Sequence, residues 1–229
     1  MIQKYTQYIK CTQYTIGMST PPDRRSRKRL ATRDAISDVA TRLFIERGFD
    51  QVTIDEIAAA ADVGRMTVFN HFPRKEDLFF DRDEELRALL RAAILQRDAG
   101  VAPLDALQRR THALRTEKSP LIEFSRGSRD FVVAIEASEA LKAHVRAIRD
   151  EFAQVAAAAL AESVGRDAGD PDARFAANLL LAAWATALVQ GHHTFRRSKK
   201  AKDAQDVFFA VIDRGHAALR AALADTPYV

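Results

Sequence analysis

Apolar residues recur at helical spacings along most of the chain, and no strand-like alternation persists. From about residue 32, Ile36, Val39, Ala40, Leu43 and Phe44 share one face at three- and four-residue steps. Gly48 supplies a left-handed stop, and Phe49 beyond it can pack back on Phe44. Thr53 and Glu56 have the spacing of a capping box, with Val52 and Ile57 as the hydrophobic staple around it. That predicts a short helix over 54–60. The run Ala61, Asp62, Val63, Gly64 predicts a tight turn. A second short helix follows over 65–72, ended by Pro73. Further helices are expected over 75–98, 103–115, 121–137, 138–164, 171–196 and 203–224. Ser119-Pro120 and Asp170-Pro171 have the cap-then-proline order of helix starts. Ser138 is a third candidate cap, Gly100 and Gly165 are stops, and Gly127 is a weak point. The pattern predicts an all-α protein.

Two short helices joined by a tight turn make a helix-turn-helix. A helix as short as 65–72 is unstable alone in water. It persists only when packed, so Ile54, Ile57, Ala58, Val63, Val68 and Phe72 are read as holding the pair to the helix before it. The remaining face of 65–72 carries Arg65, Met66, Thr67, Asn70 and His71. Its polar members can hydrogen-bond base edges or phosphates.

Charge sharpens this reading. The chain of 229 residues has a net charge of only +4, yet Arg24, Arg25, Arg27, Lys28, Arg29 and Arg33 crowd one short stretch without an acid between Arg24 and Arg33. That is the composition of an arm for a polyanion. Residues 1–23 show no apolar period and end near Pro21-Pro22, so they are read as an extension without order; Met18 is an alternative start. They lack the apolar segment of a secretory signal, and no apolar run approaches the roughly 20 residues of a membrane helix. A cytoplasmic location and no membrane partner are expected. Cys11 is the sole cysteine, so no internal disulfide or cysteine-based zinc site is expected. His192 and His193 are adjacent and point to different sides of a helix, so no metal is expected there. No cofactor is implied. A helical-bundle enzyme would need a Glu-x-x-His pair, a nucleophile elbow or a phosphate loop, and none is found. A chromatin-type DNA binder is a further alternative, one that would read little sequence.

The stretch 40–78, "ATRLFIERGFDQVTIDEIAAAADVGRMTVFNHFPRKEDL", closely resembles the DNA-binding domain of the TetR family. Phe44, Gly48, Phe49, Thr53, Ile54, Ile57, Ala58, Val63, Thr67, Phe69, His71, Phe72, Lys75, Glu76 and Leu78 carry the resemblance in order. It implies a repressor of palindromic operator DNA, or an activator or other regulator of the same fold. By resemblance, Arg29 belongs to the basic arm on DNA, and Thr53 contacts a phosphate. Arg65 and Met66 point at bases, Asn70 faces the groove, and Thr67, Phe69 and His71 touch phosphates or sugars. Lys75 binds a phosphate at the start of a fourth helix. Without DNA, Arg65 has a salt bridge with Asp62 as its alternative, and Lys75 a pairing with Glu76 or Asp77. The sequence departs from the family at Asp62, where glycine is usual, at Phe69, where tyrosine is usual, and at Gly64, where a serine cap is usual.

The resemblance also implies a division into 24–78, arm and DNA-binding domain, and 79–229, a helical domain for effector binding and dimerisation. A small-molecule effector would sit among the central helices, with His112, Phe124, Phe131, His144, Asn178 and Trp184 as candidate contacts. Trp184, with Leu181, Leu188 and Phe195, equally fits a bundle core or a dimer contact. The last two helices carry apolar faces, from which Phe175, Leu179, Ala183, Phe208, Phe209 and Ile212 are candidates for a homodimer interface.

Overall fold

A computed structural model describes residues 23–229. Residues 1–22, most of the stretch expected to lack order, lie outside the described residues, as do Cys11 and Met18. The described residues form nine α-helices and no strand: α1 (Arg24–Arg47), α2 (Ile54–Ala60), α3 (Arg65–His71), α4 (Asp83–Leu95), α5 (Pro103–Thr116), α6 (Arg126–Ala137), α7 (Glu139–Ser163), α8 (Pro171–Ser198) and α9 (Ala201–Ala222). They divide into two compact units, one holding 23–83 with 130–145, the other 84–129 with 146–229. The stretch 130–145, which the sequence reading placed with the C-terminal helices, thus groups with the N-terminal ones.

The first unit is built around phenylalanine. Ile36, Ala40 and Phe44 of α1 meet Ile57 and Ala58 of α2 and Val68 of α3, and Phe49, Phe72, Leu78 and Phe79 close the cluster. The rings of Phe44 and Phe49 lie 4.8 Å apart across the Gly48 stop. Gly48 takes φ +88°, a conformation that L side chains rarely adopt, and its N–H bonds the Phe44 carbonyl. From α6, Phe131 stacks on Phe79 at 4.2 Å, and Leu141 of α7 joins the same core. Ser138 donates to Asp50 at 2.9 Å and accepts the Leu141 N–H, so the expected cap also ties α7 to the loop after α1.

Three expected helix boundaries differ. The basic stretch is helical from Arg24, because the Asp23 carboxylate accepts the Ser26 N–H and caps α1 eight residues ahead of the expected start. The helix expected over 75–98 is instead a 3-10 turn at Glu76–Leu78 followed by α4. Leu78 and Phe79 are both buried and Phe80 partly so, and three consecutive apolar residues cannot share one face of an α-helix. The helix expected over 121–137 splits into a 3-10 turn at Pro120–Ile122 and α6. Ser125 and Ser128 exchange bonds that start a new helix: Ser128 Oγ accepts the Ser125 N–H at 2.9 Å, and Ser125 Oγ accepts the Gly127 N–H at 3.1 Å.

In the second unit, alanine lets helices approach closely. Ala156, Ala157 and Ala161 of α7 pack with Ala173, Ala176 and Ala177 of α8, all buried. In α9, a β-carbon at Gly215 would lie 2.6 Å from the Ala183 methyl, so α8 and α9 touch nearly backbone to backbone there. A second apolar cluster joins Leu114, Ile122, Phe124, Phe208, Phe209 and Ile212, with Trp184 edge-on to Phe208 at 5.2 Å. Each large side chain buried in this way contributes roughly 1.5–3 kcal/mol. Tyr228 pins the C-terminal end, donating from its hydroxyl to Asp170 at 2.7 Å while its carbonyl accepts the Leu104 N–H. By length and composition, α8 alone among the described helices could cross a membrane, with mean hydropathy 1.2 over its most apolar 18 residues. It also packs closely on α9, and the core helix of a soluble protein meets the same description.

Candidate nucleic-acid interface

The Thr53 cap and its partner Glu56 set the start of α2. Thr53 Oγ1 accepts the Glu56 N–H at 3.2 Å, and the Glu56 carboxylate accepts the Thr53 N–H at 2.8 Å. The Thr53 N–H, the Arg47 guanidinium and the Thr53 hydroxyl together hold the Glu56 carboxyl down at about 2. Asp62 takes φ +53° in the turn, a conformation that aspartate tolerates. Gly64 gives α3 no side-chain cap. Val68 and Phe72 of this segment are buried against α1 and α2, which leaves the opposite face to solvent.

That face carries the expected side chains. Arg65, Met66 and Asn70 are exposed, Met66 at 69%, and Thr67, Phe69 and His71 are partly exposed. Thr53 and Arg29 are also exposed. Arg65 is not paired with Asp62. Its Nη1 instead donates to both carboxylate oxygens of Asp55 on α2, at 3.1 and 3.0 Å. The guanidinium lies over the Phe69 ring, 5.5 Å from its centroid. Partial burial, with Arg29 and Arg33 nearby, holds the His71 imidazole below its ordinary range. Arg33 itself lies over the Phe72 ring at 4.6 Å and donates to the Asp81 carbonyl at 2.7 Å.

Lys75 departs from expectation. It precedes a single 3-10 turn rather than a helix, and its ammonium donates to the Phe49 carbonyl and sits 4.3 Å from the Phe49 ring centroid. Burial lowers its pKa. In this conformation Lys75 ties the end of α1 to the segment after α3, rather than facing solvent as a phosphate contact or pairing with Glu76 or Asp77. Asp55 is the residue the sequence reading passed over. Its signal is an acid in the first turn of α2, ten residues before the arginine that opens α3.

The candidate effector contacts are not brought together. Phe131 and His144 lie in the first unit: Phe131 stacks on Phe79, and His144 packs on Phe80 at 5.3 Å. Asn178 is exposed on α8 and donates back to the Arg174 carbonyl. His112 lies on the outside of the second unit, stacked on Phe209 and 2.7 Å from Asp213. Only Phe124 and Trp184 share an interior cluster, with His192 against Phe124 at 5.0 Å. Among the dimer candidates, Phe208, Phe209 and Ile212 are buried within the second unit and cannot also face a partner. Phe175, at 49% exposure, is open, and Leu179 and Ala183 are partly covered. Val189 on the same helix is 51% exposed.

Residues 36–81 match the model of bacterial regulatory proteins of the tetR family. Over these residues the chain is similar to the TetR family. The match begins in α1 and ends after the 3-10 turn, so it covers the helix-turn-helix just described. Curated regulators are similar over part of the chain. An HTH-type transcriptional regulator, TcmR of Streptomyces glaucescens, is 36% identical over 91 residues, 39% of this chain and 40% of that protein. The HTH-type transcriptional repressor LfrR of Mycolicibacterium smegmatis is 33% identical over 105 residues, 46% of this chain and 54% of that one. The chain thus spans about half or less of the length of these relatives. Among solved structures, a SmeT–triclosan complex aligns with TM-score 0.53 at 20% identity, over 82% of this chain and 91% of that one. A TetR-family regulator from Mesorhizobium loti aligns with TM-score 0.53 at 18% identity, over 86% and 98%. At these identities the likeness is one of fold, and it reaches beyond the helix-turn-helix into the C-terminal helices.

Proposed function

We propose that this chain is a cytoplasmic transcriptional regulator, a repressor that binds a palindromic operator as a homodimer and leaves it when a small molecule binds the second unit. The observation that carries the reading is α3. It is a seven-residue helix whose buried face is fixed by Val68, while Arg65, Met66, Thr67, Asn70 and His71 look outward. A helix this short would not hold its form without that packing. What is packed so firmly yet presents polar groups on one face suits insertion in a major groove. The basic residues from Arg24 onward add sequence-independent affinity for phosphate.

Dimerisation is proposed through the exposed face of α8, where Phe175, Ala182, Ala185 and Val189 recur at helical spacing. A two-fold dimer presents two copies of α3 to two half-sites about one helical turn apart. The effector is proposed to bind beside the Phe124, His192, Trp184 and Phe208 cluster, and to act by favouring a dimer whose recognition helices no longer match the operator. SmeT, similar in fold, forms a complex with triclosan, which supports a small-molecule effector for this chain.

The test is protection of DNA flanking the chain's own gene in nuclease footprinting. A protected palindrome, released by some member of a library of small aromatic compounds, is the expected result. Uniform protection along every fragment, or none at micromolar protein, would contradict the reading.

A further inference from the structure

We propose that Asp55 is a positioning residue for base readout: it holds the Arg65 guanidinium on the DNA-facing side of α3 and, by its charge, discourages contacts that are not made to a matched base. The proposal rests on the reading of α3 as a recognition helix. Asp55 stands in the first turn of α2 and Arg65 opens α3, so the turn between them brings a carboxylate beside the arginine that enters the groove. Both Asp55 oxygens accept from a single nitrogen, Nη1, at 3.1 and 3.0 Å. The Arg65 Nε and Nη2 have no hydrogen-bond partner among the described residues. These two donors form the planar fork that matches the O6 and N7 acceptors of guanine. The Phe69 ring centroid lies 5.5 Å from the guanidinium carbon, within reach of a cation–π contact.

The side chains of Arg65 and Asp55 are 59% and 65% exposed. A pair that open to water contributes little to stability. Its consequence is geometric: an arginine already fixed by a carboxylate and a ring loses less freedom when it docks. The charge has a second consequence. A carboxylate on the DNA-facing surface is repelled by phosphates wherever the arginine finds no base partner, so it weakens unrelated sequences more than the matched one. Both effects raise the ratio of specific to non-specific binding.

The experiment uses the full chain and its variants Asp55→Ala, Asp55→Asn, Arg65→Ala and the double variant, each checked for an unchanged thermal midpoint. Operators are selected from a random duplex library, and affinities are then measured on the selected operator, on a copy altered at one symmetric pair of positions, and on an unrelated duplex. Wild type is expected to prefer guanine at that pair by about tenfold or more, the size of a good bidentate contact. Asp55→Ala is expected to cut that preference several-fold at the pair Arg65→Ala affects and nowhere else, while binding the unrelated duplex more tightly. Asp55→Asn, which keeps the shape without the charge, should lie between, and the double variant should match Arg65→Ala. A motif unchanged in Asp55→Ala, or altered at a different pair, overturns the positioning role while leaving the DNA-binding reading intact. If wild type selects no motif at all, that reading fails, and this proposal with it.

Discussion

Two side chains have roles that only their surroundings define. His216 is 2% exposed within the second unit, and neither ring nitrogen has a hydrogen-bond partner among the described residues. Burial depresses its pKa, against an opposing pull from Asp213. The folded state therefore holds fewer protons than the unfolded chain once pH drops below about 6.5. Stability is retained above that pH and lost as pH falls toward the depressed value. Thermal melts of wild type are expected to drop between pH 7 and pH 5, and His216→Leu should flatten the part of the drop due to this group; identical slopes would count against it. Lys75 makes the opposite case. Its ammonium is engaged by the Phe49 carbonyl and ring, so Lys75→Met should lower stability by about 1.5–3 kcal/mol, the range for a charged hydrogen bond. The salt slope of DNA binding should not change; a slope reduced by about one would show that Lys75 moves to a phosphate. Position in the motif suggested the phosphate role, because motif spacing records where a residue lies in the chain and not which carbonyl lies within its reach.

At the scale of elements, the strong local signals were legible and the tertiary ones were not. Thr53 with Glu56, Ser138 and Asp170 all serve as the caps their spacing implied, because a cap is decided within four residues. The early start of α1 was hidden in a run of arginines without apolar period, and its cause is one aspartate, Asp23. The breaks after Lys75 and at Ser125 follow from which residues the core takes in, Leu78 and Phe79 in the first case, a choice made by the rest of the unit. Phe208, Phe209 and Ile212 illustrate the same limit: an apolar face names what is buried, and not whether the same chain or a partner buries it. Since the arm is helical, Arg24, Arg25 and Arg27 are presented on an ordered element. Replacing all three with alanine should reduce the salt slope by about one per lost phosphate contact, with the selected motif unaltered. An unchanged slope would remove the first turns of α1 from the interface. On α8, Gly191 lies directly under the Phe124 ring, where an added methyl collides with Phe124 Cζ. Gly191→Ala should destabilise the fold by about 1–3 kcal/mol in denaturant titrations, and a neutral result would show that Phe124 has room to move.

At the scale of the whole molecule, a helix-turn-helix similar to that of the TetR family adjoins in sequence a second helical unit whose ligand and partner are proposed. Phe175 is the side chain best placed to test the pairing of two copies. Phe175→Glu puts a charge on the exposed face of α8, where a monomer tolerates it and a dimer must desolvate it. Sedimentation should show a dimer for wild type and a monomer of unchanged helicity for the variant. A dimer surviving in Phe175→Glu would place the interface elsewhere. The claim on which everything else depends is that α3 reads sequence. Its most direct measurement is the ratio of dissociation constants, at physiological salt, for the palindrome selected by the full chain and for the same duplex with scrambled half-sites. A ratio of at least about a thousand is expected, the lower range for specific regulators. A ratio near one would contradict it and leave a basic protein that holds DNA by its phosphates alone.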